Sequence, residues 1–171
     1  GEKSVEALDA VESVLATAGI AKALNEIKDA YMDCINTAGD FEASMSNVEA
    51  LSGASGDELE ALSDKAKEMG ATTKFTAGES ADALSYMALA GWDVATSTKA
   101  LTPVLKLAEA TQADLATTSD QVTDSMSAMG VGVDDLQGYL DVLVKTNNKA
   151  NTTAGDLMEA FKGAGGAVQA T

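Results

Sequence analysis

The sequence predicts an all-α protein, a bundle of mostly short helices preceded by a longer N-terminal helical arm. Three observations carry this. Alanine makes up about a fifth of the 171 residues and proline occurs once; alanine is the strongest helix former and proline the weakest. Apolar residues recur at three- and four-residue spacing, the stripe of an amphipathic helix. Glycine closes these stripes repeatedly, and no segment alternates apolar and polar residues as a half-buried strand does. The length suits one domain, or one domain with an appendage, and buries roughly two thirds of the unfolded chain's surface.

The elements follow in order. Val5, Leu8, Val11 and Leu15 form the first stripe, with Gly19 as a C-terminal cap. A second run carries Ile20, Leu24, Ile27, Tyr31, Ile35, Phe41, Met45, Val48 and Leu51. Unbroken, it would be ~45 Å long, and Gly39 is a candidate bend or break. Ser55 and Glu58 have the spacing of a capping box. They open a third helix with Leu59, Leu62, Ala66 and Met69 on its apolar face and Gly70 at its end. After the connector Ala71–Phe75, Thr76 and Glu79 form a second box. That helix buries Leu84, Met87, Ala88 and Gly91 and stops at Gly91 in the left-handed conformation. Trp92, the only tryptophan, then reads as a large filler packed back into an alanine-lined helix junction.

Pro103 fits a first helical position with Thr102 as N-cap, ahead of Val104, Leu105, Leu107 and Ala108, with Leu101 on the same apolar face. Asp114 to Gly130 reads as one helix. Val133 to Asn147 reads as the next, with Leu136, Tyr139, Leu140 and Leu143 on one face. Asn147 to Thr153 is a polar loop. Thr153 and Asp156 open a last short helix through Leu157, Met158 and Phe161, and the tail from Gly163 is weak in structure signals. Residues 1–40 are thus the arm and residues 41–171 the helical domain.

The formal net charge is −16, with 27 acidic residues against 11 basic ones. Every basic residue is a lysine, so no arginine fork is present for phosphate or guanine. Specific nucleic-acid binding is not expected. The opening residues are polar and acidic, unlike a signal peptide, and no run approaches the ~20 apolar residues that span a membrane. Membrane contact is not expected either. The closing residues carry no stop signal and read as part of a longer chain. Cys34 stands alone and reads as a small core or interface residue.

No catalytic, cofactor or metal site emerges. Histidine is absent, which removes Ser-His-Asp and Cys-His machinery and histidine metal ligation. The pairs Asp120/Asp124 and Asp134/Asp135 lie on polar helix faces and starts, where a carboxyl is not held in the apolar setting general acid work needs. Gly163 to Gly166 lacks the Lys-Ser/Thr of a P-loop and the third glycine of a dinucleotide loop. Asp33, Asn36 and Asp40 lack the spacing of a calcium loop.

Four blocks carry a resemblance. Phe41-Glu42 opens the first, followed by Met45, Val48 and Leu51. Leu62, Ala66 and Gly70-Ala71-Thr72 lead to Phe75, Thr76, Glu79 and Ala81, then to Leu89-Ala90-Gly91-Trp92-Asp93. Asp114 to Val131 and Asn148 to Lys162 complete the order. From Phe41 to about Phe161 the chain resembles the tape-measure domain of phage tail tape measure proteins, the phage minor tail protein family. The resemblance implies a virion structural protein and not an enzyme. It implies a place inside the tail tube, a role in setting tail length, and departure ahead of the genome. It also implies assembly in the host cytoplasm with other copies of the tape measure, the tail tube protein and tail assembly chaperones. The motif positions it marks are Phe41, Glu42, Gly70, Phe75, Glu79, Gly91, Trp92, Asp93 and Phe161. The competing reading is a generic helical interaction module of a bacterial adhesin or secreted effector.

Overall fold

The structure, a computed structural model, describes residues 2–15, 21–149 and 152–168. Among these residues every regular element is helical: α1 (Glu2–Leu15), α2 (Ala21–Ser52), α3 (Asp57–Thr72), α4 (Ala77–Leu89), α5 (Val94–Thr111), α6 (Leu115–Met129), α7 (Leu136–Asn147, entered by a 3-10 turn Val133–Asp135) and α8 (Ala154–Val168). The cap expected at Gly19 and the apolar position at Ile20 fall outside the described residues. The chain divides into two compact units, Gly1–Glu42 and Ala43–Thr171.

The first unit holds α1 and the N-terminal part of α2, joined by the ion pair of Lys28 with Asp9. None of its described side chains is buried. Cys34 is exposed, so of the two readings, core or interface residue, the core one does not hold. Gly39 does not split α2, which runs through it without interruption. A single glycine in a helix costs only about 1 kcal/mol relative to alanine.

The second unit has the core. It is built from Met45, Val48, Leu62, Leu84, Met87, Leu101, Val104, Leu105, Leu107, Val122, Met126, Leu136, Leu140, Leu143 and Met158. α6 packs against α4, α5 and α8, and α5 packs against α7. The approach of α8 to α6 is the closest. A Cβ on Gly165 would stand 2.3 Å from the Ala128 carbonyl oxygen, and one on Gly155 3.1 Å from Gln121 Oε1. The paired positions rise together along both chains, so α6 and α8 run parallel, with α7 as the return.

Close approach also shapes what α6 buries. Thr118, Ser119, Thr123 and Ser125 are all in the core. Each hydroxyl donates to a carbonyl of its own helix: Thr118 to Asp114 at 2.7 Å, Ser119 to Leu115 at 2.8 Å, Thr123 to Asp120 at 2.9 Å and Ser125 to Val122 at 3.2 Å. A buried hydroxyl without a partner would be costly. Back-bonding removes that cost while keeping the side chains short enough for neighbouring helices to come near.

Four local expectations are corrected. Ser55 and Glu58 do not form a capping box. The N-cap of α3 is Gly56 at φ 57°, ψ −129°, without a side-chain cap bond; Ser55 sits one residue too early, and its carbonyl accepts from the Glu58 N–H at 3.3 Å. Asp57, Glu58 and Glu60 in the first turn complement the helix dipole instead. Gly70 does not end α3, which continues to Thr72. Pro103 lies inside α5, whose N-cap is Asp93. Its missing N–H leaves the carbonyl of Lys99, an exposed residue, without the usual helical donor. The Thr102 hydroxyl lies 3.3 Å from Met69 Sδ rather than capping. Burial of Ala100, Leu101, Val104, Leu105, Leu107 and Ala108 outweighs the ~3 kcal/mol that an interior proline costs. Finally, the glycine-rich stretch from Gly163 is helical to Val168.

Candidate functional site

The motif residues fall mostly on helix junctions. Gly70 faces the start of α4, where a Cβ would stand 2.6 Å from the Ala77 nitrogen. Thr76 and Glu79 form the capping box the sequence predicts: the Glu79 N–H donates to Thr76 Oγ1 at 3.1 Å and the Thr76 N–H to Glu79 Oε2 at 2.7 Å. Phe75, buried in the connector, carries Lys74 Nζ 4.9 Å from its ring centroid. Phe161 on α8 meets Tyr139 on α7 with ring centroids 6.2 Å apart and planes tilted by 50°. The Tyr139 hydroxyl donates to Ser125 Oγ on α6 at 2.7 Å. Burial pushes that hydroxyl's pKa up, against the opposing pull of the Ser125 bond. These residues tie α6, α7 and α8 together. Phe41 is partly buried and Glu42 exposed, both on α2.

The Gly91 junction is closed by backbone bonds. The Gly91 N–H donates to the Ala88 carbonyl at 2.9 Å and the Trp92 N–H to Met87 at 3.0 Å, with Gly91 at φ 80°. This is the bonding of a Schellman motif. Gly91 itself is exposed rather than part of the buried face of α4. Trp92 occupies the position from which a side chain folds back over the last turn and is partly buried there. The next residue, Asp93, already caps α5, accepting from the Thr96 N–H at 2.7 Å. That backbone bond, with the Thr96 side chain assisting, holds the Asp93 carboxyl below the usual carboxylate range.

The same construction recurs one helix later. Gln112, at φ 55°, donates its N–H to Glu109, and Ala113 donates to Ala108. Asp114 then accepts from the Thr117 N–H at 2.8 Å, and its carboxyl is lowered for the same reason. In the sequence, Gly91-Trp92-Asp93-Val94-Ala95-Thr96 is echoed by Gln112-Ala113-Asp114-Leu115-Ala116-Thr117. This echo was the legible signal for Asp114 as an N-cap. Gln112 carried no such signal, because nothing in its type asks for a left-handed backbone.

A shallow groove of about 290 Å³ opens between α2, α4 and α6, lined by Asn47, Leu51, Asp82, Ser85, Tyr86, Leu89 and Ala116. Leu51 and Leu89 expose much of their surface there, and Ser85 Oγ is buried without a hydrogen-bond partner. Among the described residues no group of three His, Cys, Asp or Glu residues is placed so that it could hold a metal ion, and no described helix is long and apolar enough to cross a membrane. The site is a set of packed junctions, suited to holding helices at fixed spacing.

Residues 63–171 match the family described as phage-related minor tail protein. The chain belongs to that family. Gly70, Phe75, Glu79, Gly91, Trp92, Asp93 and Phe161 lie within the match, and Phe41 and Glu42 precede it. Membership points to a structural part of a phage tail. The tape measure protein of Pneumococcus phage Dp-1 is 32% identical to it over 128 residues, which is 75% of this chain. The chain spans only 11% of that relative's length. No solved structure matches it.

Proposed function

We propose that this chain is a folded segment of a tail tape measure protein, lying in the tail tube of the virion after assembly in the host cytoplasm. The observation that carries the reading is the likeness to the Dp-1 protein named for that role. A helix advances ~1.5 Å per residue, so residue count converts to length. Long helical stretches of the full protein act as the ruler, and this helical domain, residues 41–171, is a compact part set among them. The division of the chain near Glu42 supports treating the arm, residues 1–40, as a separate working part. The motif residues serve packing, not chemistry, and the protein is not an enzyme. Its partners are other copies of the tape measure, the tail tube protein and the assembly chaperones. The net charge of −16 lets a genome pass without adhering.

The test is made on phage particles. In-frame deletion of helical residues from the full-length protein should shorten tails by ~1.5 Å for each residue removed, measured by electron microscopy. Viable particles with tails of unchanged length would sink the reading.

A further inference from the structure

α4 carries apolar residues on two faces. On one, Ala81, Leu84 and Met87 are buried, in a helix that packs on α3, α5 and α6. On the other, Asp82, Ser85, Tyr86 and Leu89 follow at three- and four-residue spacing and line the shallow groove that α4 shares with α2 and α6. Leu89 leaves 65% of its surface in solvent, and Leu51, on the α2 side of the groove, leaves 43%. A helix with apolar residues on more than one face is normally covered on more than one. A shallow groove with a leucine on each side suits a helix laid across it, rather than the near-complete enclosure of a small molecule.

The polar groups of the groove point to the kind of helix. Asp82 is the one charged residue that lines it, and α4 contains no basic residue. Among the described residues Asp82 makes no ion pair and its carboxylate accepts no hydrogen bond. Beside it the Ser85 hydroxyl is buried without a partner, whereas those of Ser80, Thr98, Thr111 and Ser119 each donate to the carbonyl four residues back. A second copy would bring the same −16 to a groove whose one charge is already negative, and like charges repel. A neutral apolar segment would strip water from the Asp82 carboxylate and return nothing. A helix that sets apolar side chains over Leu51 and Leu89 and a lysine or arginine beside Asp82 covers the one and pairs the other.

We propose that the groove of Leu51, Asp82, Tyr86 and Leu89 docks a basic amphipathic helix of another protein. Its apolar face lies on the two leucines and its cation meets Asp82. The docking is tested on the isolated chain, so it stands or falls apart from the tail-length reading.

The probes are two labelled synthetic peptides with the same leucine face, one flanked by lysines and the other by glutamates. Fluorescence anisotropy at physiological ionic strength should show the lysine peptide binding, and the glutamate peptide binding about tenfold more weakly or worse. Leu51→Ser with Leu89→Ser should weaken the lysine peptide by about tenfold. Val142→Ser with Met129→Ser removes exposed apolar side chains away from the groove and should leave binding unchanged. Asp82→Asn should cost about threefold, whereas Glu109→Gln, which removes the same charge from an exposed position on α5, should cost nothing. Circular dichroism on each variant reports that the helices persist. Failure of the lysine peptide to bind would overturn the proposal. So would equal binding of the two peptides, or equal losses in the groove variants and their controls. Sedimentation showing a dimer of the free chain that Leu51→Ser with Leu89→Ser abolishes would assign the groove to a second copy and overturn it as well.

Discussion

Replacing Gly70 by alanine separates a packing role from a helix-stop role. Gly70 lies within α3, so alanine gains ~0.8–1.0 kcal/mol of helix propensity. Against this, the new Cβ would stand 2.6 Å from the Ala77 nitrogen, 3.0 Å from its Cα and 3.1 Å from its Cβ. The first two are backbone atoms at the start of α4 and the third is fixed to them, so none can rotate aside and the helix start must shift. Overpacking of this kind costs about 1–3 kcal/mol. Gly138, exposed on α7 with nothing within 4 Å of an added Cβ, supplies the reference: Gly138→Ala takes the propensity gain alone. Propensity cancels between the two variants, so Gly70→Ala should be less stable than Gly138→Ala by about 1–3 kcal/mol. Urea unfolding followed by circular dichroism measures this directly. In a thermal melt the gap corresponds to about 2–4 °C per kcal/mol for a chain of this size. Equal midpoints for the two variants would refute the packing account and return Gly70 to an indifferent helical position.

Gln112→Gly should stabilise the protein by about 1 kcal/mol, since glycine takes the left-handed backbone without the Cβ penalty; an unchanged or lower urea midpoint would contradict it. Trp92→Ala should destabilise by less than the ~3–5 kcal/mol of a fully buried aromatic, because Trp92 is only partly buried; no loss at all, with a water-exposed emission maximum before substitution, would place Trp92 on a partner surface. The carboxyls of Asp93 and Asp114 are lowered in the folded state by N–H bonds from Thr96 and Thr117. Their contribution is therefore complete above the unfolded aspartate value of ~3.9 and is lost as pH falls through the lower folded values. Asp93→Asn with Asp114→Asn keeps acceptors at both caps but removes the titration. Its stability should fall less steeply below that pH than the wild type's, and parallel acid unfolding curves would show the caps carry none of the dependence.

The sequence by itself determined the helical class and most helix faces. Leu136, Leu140 and Leu143 are buried together, and the boxes at Thr76/Glu79 and Thr153/Asp156 form with the expected bonds. These are local features: a three-residue reach to an orphan N–H, or a period fixed by the helix itself, needs no knowledge of the rest of the chain. Gly91 was legible for the same reason, since the left-handed turn is made within one helix end. Tertiary structure decided what glycine and proline mean elsewhere. Gly70 reads as a stop and Gly165 as part of a weakly structured tail, but both are contact points where another backbone comes too close for a Cβ. Pro103 reads as a start, but the burial of its neighbours holds the helix through it. Nothing in the sequence marks the hydroxyls of α6 as core, yet they line it because each bonds its own helix and leaves room for the next one. A single stripe on α2 divides the same way. Its period is written in the sequence, while the fold alone determines that Met45 and Val48 are buried and Ile27 is not, because the residues beyond Glu42 pack among several helices of their compact unit whereas those before it share theirs with α1.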